Sequence, residues 1–260
     1  IEPEILTFYR FLLGATLLGL YLIITKRLSR DLLFKPWRYL ILGGIYSIYF
    51  VFMFIALRYT STISTSAIFA LMPFATLILD SMIFNKKSHS LIWLALCISS
   101  VGALYIVFDG SLINALNFKL DFGELIFLIG TIVYSSYALF QPRLNFGENL
   151  LITTFGVLTA GTFILAMSII IQGLDFTPTN ISIGLVFLII YLAIFASIGT
   201  ILCLNFASSR IPGTNVMAYS LLIPFWVLMF ETFTKDSFAP GYTYVGIIPI
   251  GFGPVSYTHL

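Results

Sequence analysis

The chain has 260 residues, of which 59% are hydrophobic and only 9% are charged. Because a soluble domain carries about 25% charged residues, this composition argues against one water-soluble core and for a lipid bilayer. The net charge of +2 is too small to indicate a nucleic-acid partner. No CxxC motif or His–Cys cluster is present, so no metal site or cofactor is predicted. Cys97 and Cys203 lie in apolar runs and are interpreted as small buried hydrophobes.

Nine apolar runs follow one another along the chain, and most are close to the roughly 20 residues that a helix needs to cross hydrocarbon. Backbone groups in a bilayer must bond within their own segment, and the runs do not alternate as barrel strands do. We therefore predict an all-α, polytopic transmembrane helical bundle. The runs are 5–25, 38–57, 62–84, 91–108, 123–141, 150–171, 183–206, 214–234 and 240–253.

Basic residues divide unevenly between the two sides of these predicted spans. Four fall on one side, namely Arg10, Arg58, Lys119 and Lys235. Nine fall on the other, and the positive-inside rule makes that side cytoplasmic. We expect a multi-pass protein of a bacterial inner membrane. The nine are Lys26, Arg27, Arg30, Lys35, Arg38, Lys86, Lys87, Arg143 and Arg210.

An internal repeat relates Ala56–Asp80 to Ala207–Glu231, 151 residues further along and without a gap. If one more helix preceded Ile1, each half would contain five helices. Two copies of an odd unit cross the membrane in opposite senses, so we predict an inverted five-plus-five repeat with nine spans present here. The first repeat covers 1–108 without its first helix, the second covers 123–253, and 254–260 is interpreted as an extraneous tail.

Four stretches resemble the EamA-type transporters of the drug/metabolite transporter superfamily. They are TFYRFLLGATLLGLYLI, ALRYTSTISTSAIFALMPF, IPGTNVMAYSLLIPF and VGIIPIGFG. The resemblance implies ten helices, a central substrate cavity and transport of small metabolites, often export of amino acids or toxic compounds. Family members often carry a glutamate about thirteen residues after the helix proline, where this chain has Lys86 and Ser237.

Two carboxylates, Asp80 and Glu231, fall at equivalent positions of the two copies. A carboxylate in a spanning helix is costly, so the pair is a candidate for a cavity that binds protons or cations. The alternative is an interfacial position near the helix end, where a side chain reaches the headgroups.

Pro73 and Pro224 also fall at equivalent positions, inside predicted helices. Each removes a backbone hydrogen bond, so the freed carbonyl of Phe69 or Ser220 would face substrate or lie in a simple packing kink.

Two tyrosine pairs stand at i, i+3 inside predicted spans, so each pair shares one helix face. They would line a cavity for amphipathic or cationic metabolites, or else lie at the membrane interface. Arg10 would contact an anionic substrate group or anchor the first span at the outer surface. The pairs are Tyr46 with Tyr49 and Tyr134 with Tyr137.

Small residues four apart predict close helix packing, as in Gly43/Ser47, Gly156/Ala160 and Ala15/Gly19. The predicted function is export of small metabolites, such as amino acids or drug-like compounds, by alternating access. Proton coupling and a homodimer are further hypotheses. A lipid-modifying membrane enzyme and a non-transporting membrane subunit are the competing classes, and the few histidines and carboxylates disfavour the enzyme.

Overall fold

The computed structural model describes residues 2–27, 35–86, 89–108, 110–177 and 182–223, with 226, 229, 230, 245 and 249. Regular structure in these ranges is helical, in eleven α-helices, a π-helical segment and a 3-10 turn. They are α1 (Pro3–Ile24), α2 (Trp37–Leu57), α3 (Thr62–Phe69), α4 (Met72–Phe84), α5 (Ser90–Val107), α6 (Leu112–Leu116), α7 (Phe122–Leu144), α8 (Leu150–Gln172), α9 (Ile183–Tyr191), the π-helical Leu192–Gly199, α10 (Thr200–Ser208), α11 (Gly213–Ala218) and the 3-10 turn Tyr219–Leu222.

Seven stretches of the described residues are long and apolar enough to cross a membrane. They match the first seven predicted runs, and the all-α polytopic bundle is confirmed. The run 214–234 is described continuously only as far as 223, and the run 240–253 and the tail 254–260 lie almost entirely outside the described residues, so the nine-span count and the inverted repeat stay predictions. The seven stretches are α1, α2, Ser64–Phe84, α5, α7, α8 and Ile183–Ser208.

The prediction that both cysteines are buried is wrong. Cys97 and Cys203 are exposed, on α5 and α10. Both helices belong to spanning stretches, where an exposed apolar thiol meets lipid without the penalty it would have in water.

Local sequence sets several helix ends. Ser61 caps α3 because its hydroxyl accepts the Ser64 N–H at 3.1 Å. Asn149 caps α8 in the same way, at 3.0 Å from the Leu151 nitrogen. Gly173 ends α8 in the left-handed conformation, with φ of 67°, which glycine adopts without a steric penalty.

The chain folds as two compact units, each drawing on both predicted repeats. Unit 1 comprises Ile1–Phe54 and Phe140–Arg210, and unit 2 comprises Ile55–Leu139 and Ile211–Leu260. This spatial division does not test the predicted sequence repeats 1–108 and 123–253, which stay a prediction.

Small residues bring the helices of unit 1 together. A Cβ on Gly43 would lie 2.7 Å from both the Ala160 Cβ and the Val157 carbonyl oxygen, so α2 and α8 touch through their backbones. A Cβ on Gly19 would lie 2.8 Å from the Phe155 ring, which closes α1 onto α8. The predicted small-residue packing is confirmed at these positions.

The core of unit 2 forms where α4, α5 and α11 meet. Gly213 starts α11 against α7, and a Cβ there would lie 2.8 Å from the Ala138 carbonyl oxygen. The buried side chains of this core are Ala70, Leu77, Leu96, Ala103, Ile106, Ala218 and Leu221.

The sequence predicted that Pro73 lies inside a helix and kinks it. The structure instead has a break in the helix just before Pro73. The helix ends at Phe69 and restarts at Met72, so Pro73 lies in the first turn of α4, where a missing N–H costs little. In the second copy, α11 begins at Gly213, 151 residues after Thr62, and changes to 3-10 geometry at Tyr219. The two copies thus share a helix start and an early loss of α-helical geometry. Pro224 lies outside the described residues.

Candidate functional site

Arg10 lies inside the first spanning helix of unit 1. It is the eighth residue of α1, which places its Cα about 10 Å along the helix axis. Its Cζ stands 4.6 Å from the centre of the Phe50 ring and 5.4 Å from that of Phe11. Its Nε is buried and has no hydrogen-bond partner among the described residues.

Aromatic rings of α1 and α2 surround this guanidinium. Tyr46 stacks on Phe11 with ring centroids 5.8 Å apart and an interplanar angle of 30°. Phe50 contacts Tyr46 and Tyr49 at 5.4 and 5.3 Å. We call these five residues, Arg10 included, the Arg10 cluster. The sequence predicted Arg10, Tyr46 and Tyr49 as candidates, and the structure brings all three together.

Phe11 and Phe50 are the members that the sequence reasoning missed. A phenylalanine in an apolar run carries no signal of its own, since 26 of the residues are phenylalanine. The usable signal was spacing, because Phe50 follows Tyr46 by four residues and so shares its helix face.

Glycine on α8 supports the cluster from behind. A Cβ on Gly161 would lie 2.7 Å from the Ser47 hydroxyl and 3.0 Å from the Phe11 ring. Both side chains therefore pack directly against the backbone of α8. The Tyr9 hydroxyl donates to the Phe176 carbonyl oxygen at 2.9 Å. These contacts fix α1 and α2 against α8.

The aromatic faces stabilise the arginine charge only in part. A desolvated cation–π contact contributes about 2 kcal/mol. Placing arginine at the centre of a spanning helix costs about 2.5–3.5 kcal/mol on insertion scales, and this is an upper bound for Arg10, which lies nearer the start of α1. A carboxylate hydrogen-bonded to the guanidinium would supply the remainder and satisfy the buried Nε–H.

A second arginine of unit 1 is already paired. Arg38 forms a salt bridge with Glu148, and the two side chains are 3% and 5% exposed. Its Nη1 also donates to the Leu144 carbonyl oxygen at 3.0 Å, and its Cζ lies 4.7 Å from the Phe146 ring centre. This arginine has the anionic partner that Arg10 lacks in the contacts described above.

The other predicted site residues belong to unit 2. Tyr134 stacks on Phe69 with centroids 6.3 Å apart, and Tyr137 is fully buried. Pro73 and Asp80 are buried on α4, Asp80 with 4% of its surface exposed. Glu231 lies outside the described residues, as Pro224 does, so the pairing of the two carboxylates stays a prediction.

Unit 2 also contains a cavity of about 400 Å³ that the sequence reasoning missed. Its walls come from the start of α3, the end of α5, α6 and the start of α7. Glu124 lines it and accepts a hydrogen bond from the Thr60 hydroxyl. The available signal was an acidic residue two positions into an apolar run, facing the hydroxyl-rich TSTISTS.

Seven stretches of the described residues that are long and apolar enough to cross a bilayer define a multi-pass membrane protein. Residues 1–108 match the model of the EamA-like transporter family, the bounds predicted for the first repeat. The chain is 25% identical over 226 residues to the uncharacterized transporter YyaM of Bacillus subtilis (strain 168), covering 86% of this chain and 74% of that protein. It is 24% identical over 255 residues to an uncharacterized transporter of Archaeoglobus fulgidus, covering 95% and 84%.

A solved structure described only as "Crystal structure of protein" has the same fold, with a TM-score of 0.80 at 15% identity. The match covers 100% of this chain and 88% of that one. Together these matches support the predicted resemblance to the EamA-type transporters and make a membrane transporter the class to which this chain is similar.

Proposed function

We propose that this transporter exports small amphipathic metabolites that carry a carboxylate, such as amino acids and drug-like acids, across a bacterial inner membrane. The observation that carries the proposal is the Arg10 guanidinium of α1, which lies against the Phe50 and Phe11 rings and whose buried Nε has no hydrogen-bond partner among the described residues. A carboxylate would bind the guanidinium, and the apolar body of the metabolite would pack against the rings.

The tyrosines were predicted to bind amphipathic or cationic metabolites, and the positive charge of Arg10 argues against the cationic ones. A free aromatic face attracts cations, but here Phe50 and Phe11 already face the Arg10 guanidinium. A second cation at the same faces would meet like charge in a low-dielectric environment. An anionic group is favoured for the same reason.

Alternating access is the proposed mechanism, with the two sequence repeats rocking about the substrate. The shared start and early interruption of the helices at Thr62 and Gly213 support the repeat locally. Coupling to protons through Asp80 and Glu231 is part of the proposal, and the burial of Asp80 supports it.

Transport in proteoliposomes tests the proposal. The purified full-length protein is reconstituted and the flux of labelled L-phenylalanine, 3-phenylpropionate and a cationic dye is measured. We expect saturable flux of the two carboxylates that is accelerated by the same compound on the opposite side. Absence of flux for every compound would overturn transport of this class, and flux of the dye alone would overturn the carboxylate.

A further inference from the structure

Glu124 is a buried carboxylate with one oxygen unused. It is the third residue of α7 and only 6% of its surface is exposed. One oxygen accepts the Thr60 hydroxyl, whereas Oε2 is buried and has no hydrogen-bond partner among the described residues. A buried acceptor without a donor costs about 1–3 kcal/mol, and more when it is charged.

The position of this carboxylate is fixed by close backbone packing. A Cβ on Gly123 would lie 2.9 Å from the Thr60 Cβ and 3.0 Å from the Tyr59 carbonyl carbon. Since only glycine allows this approach, the start of α7 is held against the two residues, Tyr59 and Thr60, that follow α2 closely in the chain. Glu124 and its hydroxyl partner are therefore preorganised before any ligand binds.

The walls of the cavity combine polar groups with an aromatic surface. Phe108 and Phe118 meet edge to face, with centroids 5.9 Å apart. Among the described residues, the charged members of the lining are Glu124, Asp121 and Lys119, and the last two are exposed, so water screens them. The described lining residues are Ser61, Ser64, Val107, Phe108, Asn114, Asn117, Phe118, Lys119, Asp121 and Glu124.

We propose that this cavity binds an organic cation consisting of a primary ammonium group and a small apolar or aromatic body. The ammonium donates to Oε2 of Glu124, and its two other N–H groups match the serine hydroxyls and asparagine carbonyls of the wall. The body packs on Phe108 and Phe118. A volume of about 400 Å³ lies in the range of small-molecule sites, and the buried negative charge disfavours anions.

Calorimetric titration of the purified protein in detergent tests the site with two ligands of one shape. Phenethylamine carries the ammonium, and 2-phenylethanol replaces it with a neutral hydroxyl. We expect phenethylamine to bind at least about tenfold more tightly, as for a hydrogen bond to a charged group. Equal affinities, or no phenethylamine binding by folded protein, would overturn the proposal.

Two variants assign the binding to one carboxylate. Glu124→Gln keeps the shape and should weaken phenethylamine binding at least about tenfold. Asp175→Asn removes an exposed carboxylate that does not line the cavity and should change the affinity by less than about threefold. If folded Glu124→Gln bound phenethylamine with unchanged affinity, the ligand class would be contradicted. The same would follow if titration with Na⁺ alone released a heat of binding that depends on Glu124. If Glu124→Gln does not fold, the ligand pair on the unaltered protein decides. The ligand pair and the variants are both tested by binding and not by transport. The proposed cavity can therefore be confirmed or contradicted even if the proposed transport function fails.

Discussion

The Arg10 cluster of unit 1 and the Glu124 cavity of unit 2 each hold one charge inside a spanning helix, but they stabilise it differently. Arg10 is covered by aromatic faces, which attract its charge and leave its Nε–H unbonded. Glu124 accepts the Thr60 hydroxyl with one oxygen and lines a cavity. In both, the protein satisfies part of the charge and leaves one buried polar atom without a partner among the described residues, as it also does at Oε2 of Glu148.

The salt bridge between Arg38 and Glu148 is the reference for both regions, and its loss should have the largest effect. Arg38→Met leaves the carboxylate of Glu148 buried without its partner. The free energy of unfolding should fall by about 3–5 kcal/mol, measured by thermal and denaturant unfolding in detergent. The double variant Arg38→Met/Glu148→Leu should recover most of this loss. A single variant as stable as the original protein would mean that the pair is solvated and is no reference.

Arg10 should respond in the opposite way, through function and not stability. Arg10→Met should reduce the kcat/KM for 3-phenylpropionate flux by roughly 30- to 1,000-fold, which corresponds to about 2–4 kcal/mol. Arg10→Lys keeps the charge without the planar fork and should retain intermediate flux. If Arg10→Met instead unfolds the protein and carboxylate flux does not depend on residue 10, the cluster is structural.

The support of the Arg10 cluster can be tested with two neighbouring glycines of α2. A methyl group on Gly43 meets Ala160 and Val157 within 2.7 Å, whereas one on Gly44 meets only the Ile164 Cδ1, at 3.5 Å. Gly43→Ala should lower the free energy of unfolding by about 1–3 kcal/mol. Gly44→Ala should be neutral or stabilise the helix by up to about 1 kcal/mol. Equal melting temperatures for the two variants would contradict the close approach of α2 and α8.

The corresponding support in unit 2 is a hydrogen bond, and its loss should have the smallest effect. Thr60→Val removes the hydroxyl that Glu124 accepts and should lower the free energy of unfolding by about 1–2 kcal/mol. Thr60→Ser keeps the hydroxyl and should stay within about 0.5 kcal/mol of the original protein. Chemical denaturation in detergent measures both. A valine variant as stable as the serine variant would show that Glu124 does not depend on Thr60.

The sequence predicted the spans closely because hydrocarbon imposes one period and one length. The predicted run 150–171 became Leu150–Gln172, and 183–206 became Ile183–Ser208. It did not predict the π-helical geometry at Leu192–Gly199. The sequence also did not predict the two compact units, each of which combines segments of both repeats. Hydropathy locates spans along the chain but does not show which spans are neighbours in space.

The candidate residues divide in a similar way. Arg10 stood out because a charge inside an apolar run is rare. Glu124 escaped notice because it lies at a predicted helix start, where an acidic residue is ordinary. Cys97 was misjudged because lipid, unlike water, lets an apolar side chain face outward. Only the fold distinguishes these environments.

One measurement tests the central claim, that the two units carry recognition sites of opposite charge. Binding of 3-phenylpropionate and phenethylamine is titrated against the original protein, Arg10→Met and Glu124→Gln. The account predicts a crossed pattern, in which Arg10→Met loses the carboxylate and keeps the amine, and Glu124→Gln loses the amine and keeps the carboxylate. Loss of the same ligand in both variants, with both folded, would contradict it.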